Sequence, residues 1–236
     1  MQFQRATLAN CEQAAGVVVA IDVLRAFTTA AYAFGAGASD ILLTAGVDEA
    51  LALRQRFPGS LAMGEVNGLP VAGFDFGNSP VQFGADGLAG RRLVQRTSAG
   101  TQGVVRSRRA EHLLAASFAC AGATARYIRR LAPQQVTFVI TGAMPDESFV
   151  KTPIRFGDED AACADYLQAV LSGLDPDPEP YLQRVWAAPA AEKFLYPDQP
   201  DFLAEDLEAC TALDRFTFAM PVWRQADLLI VESVQV

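Results

Sequence analysis

The feature that most constrains the fold of this chain is a run of five aliphatic residues ending in an acid. Val17–Ile21 contains no polar residue, and Asp22 follows it directly. A continuous apolar run of this length is typical of a strand buried on both faces, as in a sheet covered by helices. Ligands of open α/β sheets bind beyond the carboxyl ends of such strands, so Asp22 stands where catalysis usually occurs. Alternatively, Asp22 only caps the next helix.

Segments rich in β-branched residues alternate with Ala-rich amphipathic segments, which is typical of a sheet with helices on its faces. We expect strands over residues 17–22, 40–44, 61–64, 91–97, 112–117, 135–141, 218–223 and 228–231. We expect helices over residues 28–34, 48–57, 120–131, 158–171, 180–188 and 200–213. Asp48 is the expected N-cap of the second helix. The predicted fold class is α/β, a three-layer α/β/α arrangement with a mixed, largely parallel central sheet.

The domain organisation predicted from the length is simple. A chain of 236 residues can bury a full core, and we treat residues 1–236 as a single domain. The stretch 172–180 is the best candidate for a break between two lobes, although it is too short to establish one.

Glycine, proline and asparagine are so frequent over residues 65–80 that we expect a long loop, and such loops are often functional. Residues 141–157 are also expected to form a loop.

The charge of the chain limits its partners. A net charge of -8 and a pI near 4.7 argue against a nucleic-acid partner, because nucleic-acid binding depends on a basic surface. A small phosphorylated substrate needs only local positive charge. Six arginines within residues 91–109 could supply it, or could be a solvated basic face. The longest apolar run near the N-terminus is too short to cross a bilayer, so we expect a cytoplasmic protein without a membrane partner.

The cysteine and histidine content limits the kind of metal site. The four cysteines are widely separated and His112 is the only histidine, so neither a zinc site nor a disulfide scaffold is indicated. Any metal should therefore be a hard cation held by carboxylates and water. Magnesium meets this condition, because it needs only one or two protein carboxylates besides substrate phosphate.

The residues that follow Asp22 could bind a phosphate group. Arg25, Thr28 and Thr29 stand on the turn that leaves the strand. A guanidinium and two hydroxyls are suited to phosphate oxygens. Arg25 could equally be an ion-pair partner of Asp22.

Two further segments have the composition of anion-binding turns. Residues 73–80 read Gly-Phe-Asp-Phe-Gly-Asn-Ser-Pro and follow Gly64-Glu65. Their glycines can adopt positive φ and their Asn and Ser offer short hydrogen-bonding side chains, so this loop can bind an oxyanion or present metal ligands. Residues 96–101 read Arg-Thr-Ser-Ala-Gly-Thr after an expected strand, where free amides at a helix start can bind an anion. Both patterns also occur in ordinary turns.

A fourth segment, residues 157–160, places acids directly before an Ala-rich helix. Acids suit a helix N-terminus because they interact favourably with the helix dipole, and that alone could explain them. Alternatively, Glu159 and Asp160 complete a magnesium site.

At these four places together the sequence resembles the 2-phosphosulfolactate phosphatase family. The matching segments are residues 22–29, 64–65, 73–80, 96–101 and 159–160, with further agreement at 117–119 and 214–216. They keep their order and extend over almost the whole chain. Residues 97–101 often read Thr-Thr-Asn-Gly-Thr in the family and are Thr-Ser-Ala-Gly-Thr here, which removes one side-chain amide.

The resemblance implies a magnesium-dependent phosphatase that converts 2-phosphosulfolactate to sulfolactate and phosphate, a step of coenzyme M biosynthesis, and it suggests a homodimer. The natural substrate could be another 2-phosphorylated hydroxy acid.

We hypothesise that Asp22, Arg25 and Glu65 act in catalysis. The candidate ligands of Mg²⁺ are Asp22, Glu65, Asp75, Glu159 and Asp160. The candidate phosphate-binding residues are Thr28, Asn78, Ser79, Arg96, Thr97, Ser98, Gly100 and Thr101. Whether Asp22 attacks phosphorus or positions a metal-bound water stays open.

Three other functions are weighed against this hypothesis. An isochorismatase-like cysteine hydrolase also has an aspartate at the end of its first strand, and would use Cys163 as nucleophile near a basic side chain. A haloacid-dehalogenase-type phosphatase is disfavoured because Leu24 occupies the place of its second aspartate. A non-catalytic binding protein for a phosphorylated metabolite would retain the anion-binding turns without turnover.

Overall fold

The sheet and its helices follow the alternation of apolar segments along the chain. The computed structural model describes residues 1–84, 87–142, 157–196 and 198–236. The described strands are β1 (Gln2–Thr7), β2 (Gly16–Ile21), β3 (Asp40–Thr44), β4 (Leu61–Val66), β5 (Leu69–Pro70), β6 (Arg92–Arg96), β7 (Ala110–Ala116), β8 (Gln135–Ile140), β9 (Phe218–Gln225), β10 (Leu228–Val231) and β11 (Val234–Gln235). The described α-helices are α1 (Ala26–Gly35), α2 (Val47–Arg56), α3 (Gly100–Arg106), α4 (Ala121–Leu131), α5 (Asp158–Leu171), α6 (Glu179–Ala187) and α7 (Ala204–Cys210). Short 3-10 helices cover Cys11–Gln13, Pro80–Gln82, Phe118–Cys120 and Pro189–Leu195.

The central sheet consists of two parallel groups joined by an antiparallel hairpin. Its strand order is β1-β8-β2-β7-β9-β10-β3-β6-β4-β5, and β11 pairs with β9. Strands β1, β8, β2 and β7 are parallel to one another, and so are β3, β6 and β4. The hairpin β9–β10 pairs antiparallel with both groups. The predicted α/β fold with a mixed, largely parallel sheet is confirmed.

Helices cover both faces of the sheet, which gives the three layers. On one face, Val18 and Ala20 of β2 share a core with residues of α1 and α3. On the other face, Val17, Val19 and Ile21 share a core with residues of α4 and α5. Since successive side chains of a strand point to opposite faces, covering both faces buries the whole apolar run of β2. None of the described helices is both long and apolar enough to cross a bilayer.

Two crossover connections bring the ends of β2 and β6 together. Helix α1 leads from β2 across to β3, and α3 leads from β6 back to β7. Their beginnings are in contact: Gln95 Nε2 donates a hydrogen bond of 2.9 Å to the Ala26 carbonyl, and a Cβ at Gly100 would lie 2.7 Å from that of Ala26. The loops that follow β2 and β6 therefore meet, although four strands lie between β2 and β6 in the sheet.

One predicted N-cap and one predicted helix range are wrong. Helix α2 begins at Val47 after Gly46, so Asp48 lies in its first turn and is not its N-cap. The carboxylate still suits that turn through the helix dipole. The helix expected over residues 200–213 is confined to Ala204–Cys210, because Leu203 has an extended backbone.

Some elements were not predicted at all. Strand β1 has four polar residues among its six and lies at the edge of the sheet, where only β8 pairs with it. The loop expected over residues 65–80 includes the end of β4, whose strand was predicted only over residues 61–64, and the unpredicted strand β5, with Asn67 and Gly68 at positive φ in the turn between them. Most of the loop expected over residues 141–157 lies outside the described residues. The stretch 172–180 connects α5 to α6, and the domain break there stays a prediction.

Candidate active site

Four buried carboxylates lie close enough for their charges to affect one another's pKa values. Asp22 follows β2, Glu65 belongs to β4, and Glu159 and Asp160 lie in the first turn of α5. Their exposed fractions are only 5%, 6%, 4% and 1%, respectively. We call these four residues the acid cluster. Buried carboxylates need hydrogen bonds or opposite charges, because burial removes their hydration.

Asp22 and Asp160 both accept hydrogen bonds from backbone amides of the segment that follows β2. Asp22 Oδ1 accepts a 2.9 Å hydrogen bond from the Ala26 amide at the start of α1. Asp160 Oδ1 accepts one of 2.8 Å from the Val23 amide, and its Oδ2 accepts one of 2.9 Å from the Gly142 amide. Asp22 thus accepts a hydrogen bond from the first amide of α1, as a capping residue would, although the N-cap position of this helix is Arg25. Asp22 also faces other acids, which a capping role does not explain.

Glu65 joins two of the predicted loops. Its Oε1 accepts a 2.5 Å hydrogen bond from the Ser98 amide, and its Oε2 accepts one of 2.5 Å from the Gly68 amide. The Ser98 hydroxyl also donates to Oε2 at 3.2 Å. Glu65 thus fixes the turn that follows β6 against the β4–β5 turn.

Glu159 differs from the other three because one of its oxygens is both fully buried and, within the described part of the chain, unpaired. Its Oε2 is buried and has no hydrogen-bond partner among the described residues. A buried acceptor without a partner is costly, and such an atom in a folded protein points to a missing ligand, ion or water.

The acid cluster is short of positive charge, and the pKa values of its members reflect this. Burial first, and then the charge of Glu65, raise the pKa of Asp22 to about 6, although amides of Ala26 and Gly100 act in the opposite direction. Burial and the nearby charge of Asp22 raise the pKa of Glu159 to about 7. Burial, Glu159 and Asp22 raise the pKa of Asp160 well above its usual value. A cation would favour the ionised forms.

The turn over residues 97–101 is held by its own hydroxyl groups. The Thr97 amide donates to Thr101 Oγ1 at 2.9 Å, and the Thr101 amide donates to Thr97 Oγ1 at 3.1 Å. Gly100 packs against Asp22, and a Cβ there would lie 2.7 Å from Asp22 Oδ2. The turn is therefore next to the acid cluster, but its two threonine side chains are engaged with each other.

A second buried group contains Arg25, which does not pair with Asp22. Its Nη1 donates to Asp206 Oδ2 at 2.7 Å and to the Asp201 carbonyl at 2.8 Å. Asp206 Oδ1 accepts a 2.5 Å hydrogen bond from the Ser79 hydroxyl. We call Arg25, Ser79 and Asp206 the paired cluster. Its charges balance within the protein, and Asp206 was not among the predicted site residues.

Three other predicted residues are engaged elsewhere. Asp75 accepts hydrogen bonds from Arg54 at 2.9 Å and from the Ala62 amide at 2.8 Å, where β4 begins rather than where it ends. Thr28 donates its hydroxyl to the Val23 carbonyl at 2.9 Å. The guanidinium of Arg96 donates to the carbonyls of Ala45 and Glu65, and to Ser98 Oγ. These contacts are those of structural residues.

Asn78 lies beside the paired cluster. Its Oδ1 is buried without a hydrogen-bond partner among the described residues, and its carbonyl accepts a hydrogen bond from Thr29. Asn78 lines a cavity of about 270 Å³ together with Arg25 and Ser79.

Sequence reasoning missed Lys193, which lies in the 3-10 helix Pro189–Leu195. Burial lowers the pKa of this ammonium, and so does Arg25, whereas the charges of Glu65, Asp22 and Glu159 act in the opposite direction. Lys193 therefore stands near the acid cluster. No motif surrounds it, and the low lysine content of the chain was the only available signal.

Cys163 is unsuited to act as a nucleophile. Its side chain is fully buried in the core with Phe118 and Leu167. Burial raises the pKa of its thiol well above the usual value, and nearby Asp160 adds to the rise. A cysteine hydrolase needs the thiolate, so this environment weighs against the isochorismatase-like alternative.

Comparison with known proteins places the chain in a family. The sequence model described as 2-phosphosulpholactate phosphatase matches residues 4–224. The chain belongs to the 2-phosphosulfolactate phosphatase family. A relative from Bacillus subtilis (strain 168), named probable 2-phosphosulfolactate phosphatase, is 32% identical over 93% of this chain and 92% of its own length. Family members with the same name from Deinococcus radiodurans and Carboxydothermus hydrogenoformans are 41% and 36% identical, over 53% and 72% of this chain and 53% and 66% of their own.

Proposed function

We propose that this chain is a magnesium-dependent phosphatase that hydrolyses the phosphate monoester of a small 2-hydroxy acid, with 2-phosphosulfolactate as the first candidate. The observation that carries the proposal is the unpartnered Oε2 of Glu159 inside a cluster of buried acids. Family membership supports the reaction class. The printed names of the relatives support the substrate.

The acid cluster fits a hard divalent cation. Both oxygens of Glu65 and both of Asp160 already accept hydrogen bonds from backbone amides. Asp22 and Glu159 have more free coordinating capacity, so we assign them as direct ligands of Mg²⁺. Among the described residues, no three His, Cys, Asp or Glu side chains converge as a complete metal site. Two carboxylates are enough, since magnesium usually retains several waters and binds substrate phosphate.

When bound, magnesium would neutralise charge on the phosphoryl group. The residues of the chain orient the reaction. The O–P bond to the leaving hydroxy acid breaks as a bond from phosphorus to the incoming oxygen forms. Asp22 is fixed by the Ala26 amide and stands at the carboxyl end of β2, so it is the residue best positioned for the attacking side. Both routes considered for Asp22, direct attack and positioning of water, use a carboxylate.

Phosphate release from 2-phosphosulfolactate and from a panel of phosphorylated 2-hydroxy acids tests this proposal. The purified protein should be active with Mg²⁺, inactive after treatment with EDTA, and active again when Mg²⁺ is restored. Thiol alkylation should not abolish the activity, because Cys163 is buried. Full activity in EDTA would overturn the metal dependence.

The same assay addresses the non-catalytic alternative. A binding protein would take up the phosphorylated acid without releasing phosphate at any metal concentration. Dimer formation stays a prediction, which the mass of the protein in solution tests.

A further inference from the structure

The cations closest to the acid cluster differ in whether they already form ion pairs or hydrogen bonds within the protein. The guanidinium of Arg25 forms a buried ion pair with Asp206. Arg96 donates to two carbonyls and a hydroxyl. A cation whose charge and donors are already matched has little left for a ligand, because binding one would require breaking existing contacts.

Among the described cations near the acid cluster, Lys193 is the exception. No carboxylate oxygen of a described residue lies within 4.0 Å of its ammonium, and its Nζ has no described hydrogen-bond acceptor. The side chain is nevertheless half-buried, and its Nζ lies 4.3 Å from the centre of the Phe202 ring. The aromatic ring holds the ammonium in position without neutralising its charge.

The Lys193 ammonium lies next to the β4–β5 turn, which Glu65 holds in place. Its Nζ lies 3.6 Å from the place that a Cβ at Gly68 would occupy, and the Gly68 amide donates to Glu65. The charges that act on Lys193 are those of Arg25 and of the acid-cluster members Glu65, Asp22 and Glu159. A ligand held at the acid cluster would therefore lie beside this ammonium.

We infer that Lys193 binds the phosphate group of the substrate through its Nζ, in the role that the sequence assigned to Arg25. The inference rests on the proposed phosphatase function. A phosphate ester bound over four carboxylates needs cations, and a metal ion at Asp22 and Glu159 supplies them on one side only. A lysine ammonium is a compact point charge on a flexible stem, which suits a phosphate oxygen on the other side. Lys193 is thus a substrate-binding residue, and Arg25 is structural.

Calorimetric titration of Lys193→Met with inorganic phosphate and with Mg²⁺ tests this inference. Methionine keeps the length of the side chain and its packing against Phe202, while it removes the charge. The dissociation constant for inorganic phosphate, measured in saturating Mg²⁺, should rise on the order of 10- to 100-fold, as expected for a lost hydrogen bond between charged groups. The affinity for Mg²⁺ should increase, because a neighbouring positive charge has been removed.

These opposite changes distinguish ligand binding from a structural role. If Lys193 only supported the fold, both affinities would fall together, and that result would overturn the inference. Unchanged phosphate affinity would overturn it as well. Lys193→Arg keeps the charge and should stay within a few-fold of the wild type. This variant provides the test if Lys193→Met does not fold.

Arg126→Gln is the matched control. Arg126 is exposed on α4, and its removal changes the net charge by the same amount. Phosphate binding should stay at the wild-type value. Hydrolysis by the wild-type protein is measured separately, so failure of the proposed function and failure of the Lys193 inference give different results. A wild type that binds phosphate through Lys193 without hydrolysing the ester would contradict only the function.

Discussion

The acid cluster and the paired cluster are both buried and both charged, but only one of them is balanced within the protein. In the paired cluster, Arg25 and Asp206 form an ion pair whose side chains are 4% and 0% exposed, and Ser79 satisfies the remaining carboxylate oxygen. In the acid cluster, burial raises the pKa values of Asp22 and Glu159, and one Glu159 oxygen has no described partner. A balanced buried group has no unused charge for a ligand, whereas an unbalanced one is suited to bind one.

Asp206→Asn removes the ion pair of the paired cluster and should have the largest effect on stability. It leaves the Arg25 guanidinium buried without its ion-pair partner, which typically costs about 3–5 kcal/mol. Urea unfolding in EDTA measures the loss. Asp227→Asn is the control: the side chains of Asp227 and its partner Arg56 are 63% and 50% exposed, so solvent screens their ion pair and its loss should hardly change stability. Equal losses in the two variants would contradict the assignment of Arg25 as a structural residue.

Asp22→Asn tests the acid cluster. This substitution should lower the activity and leave the stability unchanged. The amide keeps the shape of the side chain but removes the charge, so we expect phosphate release to fall roughly 10²- to 10³-fold. The free energy of unfolding in EDTA should not decrease, since the buried carboxylate is destabilising when ionised. Steady-state kinetics with Mg²⁺ and urea unfolding are measured on the same preparation. Full activity in this variant would refute the assignment of Asp22.

The acid cluster was largely predictable from the sequence, whereas the paired cluster was not. Asp22 ends an apolar strand and Glu159 begins a helix, and both positions are recognisable from local patterns. The contact between Arg25 and Asp206 joins residues 181 positions apart, and no local pattern indicates which distant acid an arginine meets. For this reason Arg25 was interpreted as a phosphate ligand or a partner of Asp22.

Asp75 and Lys193 also show that local patterns do not identify every side chain near the site. Asp75 was predicted there and pairs elsewhere, whereas Lys193 was not predicted. Asp75 lies in a motif that the family resemblance emphasises, but its carboxylate pairs with Arg54 of α2. Lys193 lies in no motif, but the packing of the segment Pro189–Leu195 brings it near the acid cluster. Strand ends can be located from the sequence because hydrophobic periodicity identifies them. Side chains brought in by the later, irregular segments require the tertiary structure.

The pH dependence of stability provides a further way to separate the two clusters. Folded Glu159 has its pKa raised from 4.5 to about 7, so the folded protein retains this proton where the unfolded chain has released it. Stability without metal should therefore fall as pH rises from about 5 to about 8, by roughly 1–3 kcal/mol, since one pKa unit corresponds to about 1.4 kcal/mol. The pKa shifts of Asp22 and Asp160 have the same sign.

Urea unfolding in EDTA at pH 5 and pH 8 measures this fall. Glu159→Gln should reduce it, because the glutamine cannot ionise. Added Mg²⁺ should stabilise the wild type more at pH 8 than at pH 5. Identical pH profiles for the wild type and Glu159→Gln would show that Glu159 does not carry the unbalanced charge.

Ser79→Ala should have the smallest effect and separates structural from ligand contacts at one of the predicted phosphate-binding residues. The Ser79 hydroxyl donates to Asp206 at 2.5 Å, so its loss should cost about 1–2 kcal/mol in the free energy of unfolding. The affinity for inorganic phosphate should not change, because the hydroxyl is already used within the paired cluster. A loss of phosphate affinity with unchanged stability would instead show that Ser79 binds the substrate. Ser79 would then belong to the ligand-binding site and not to the paired cluster.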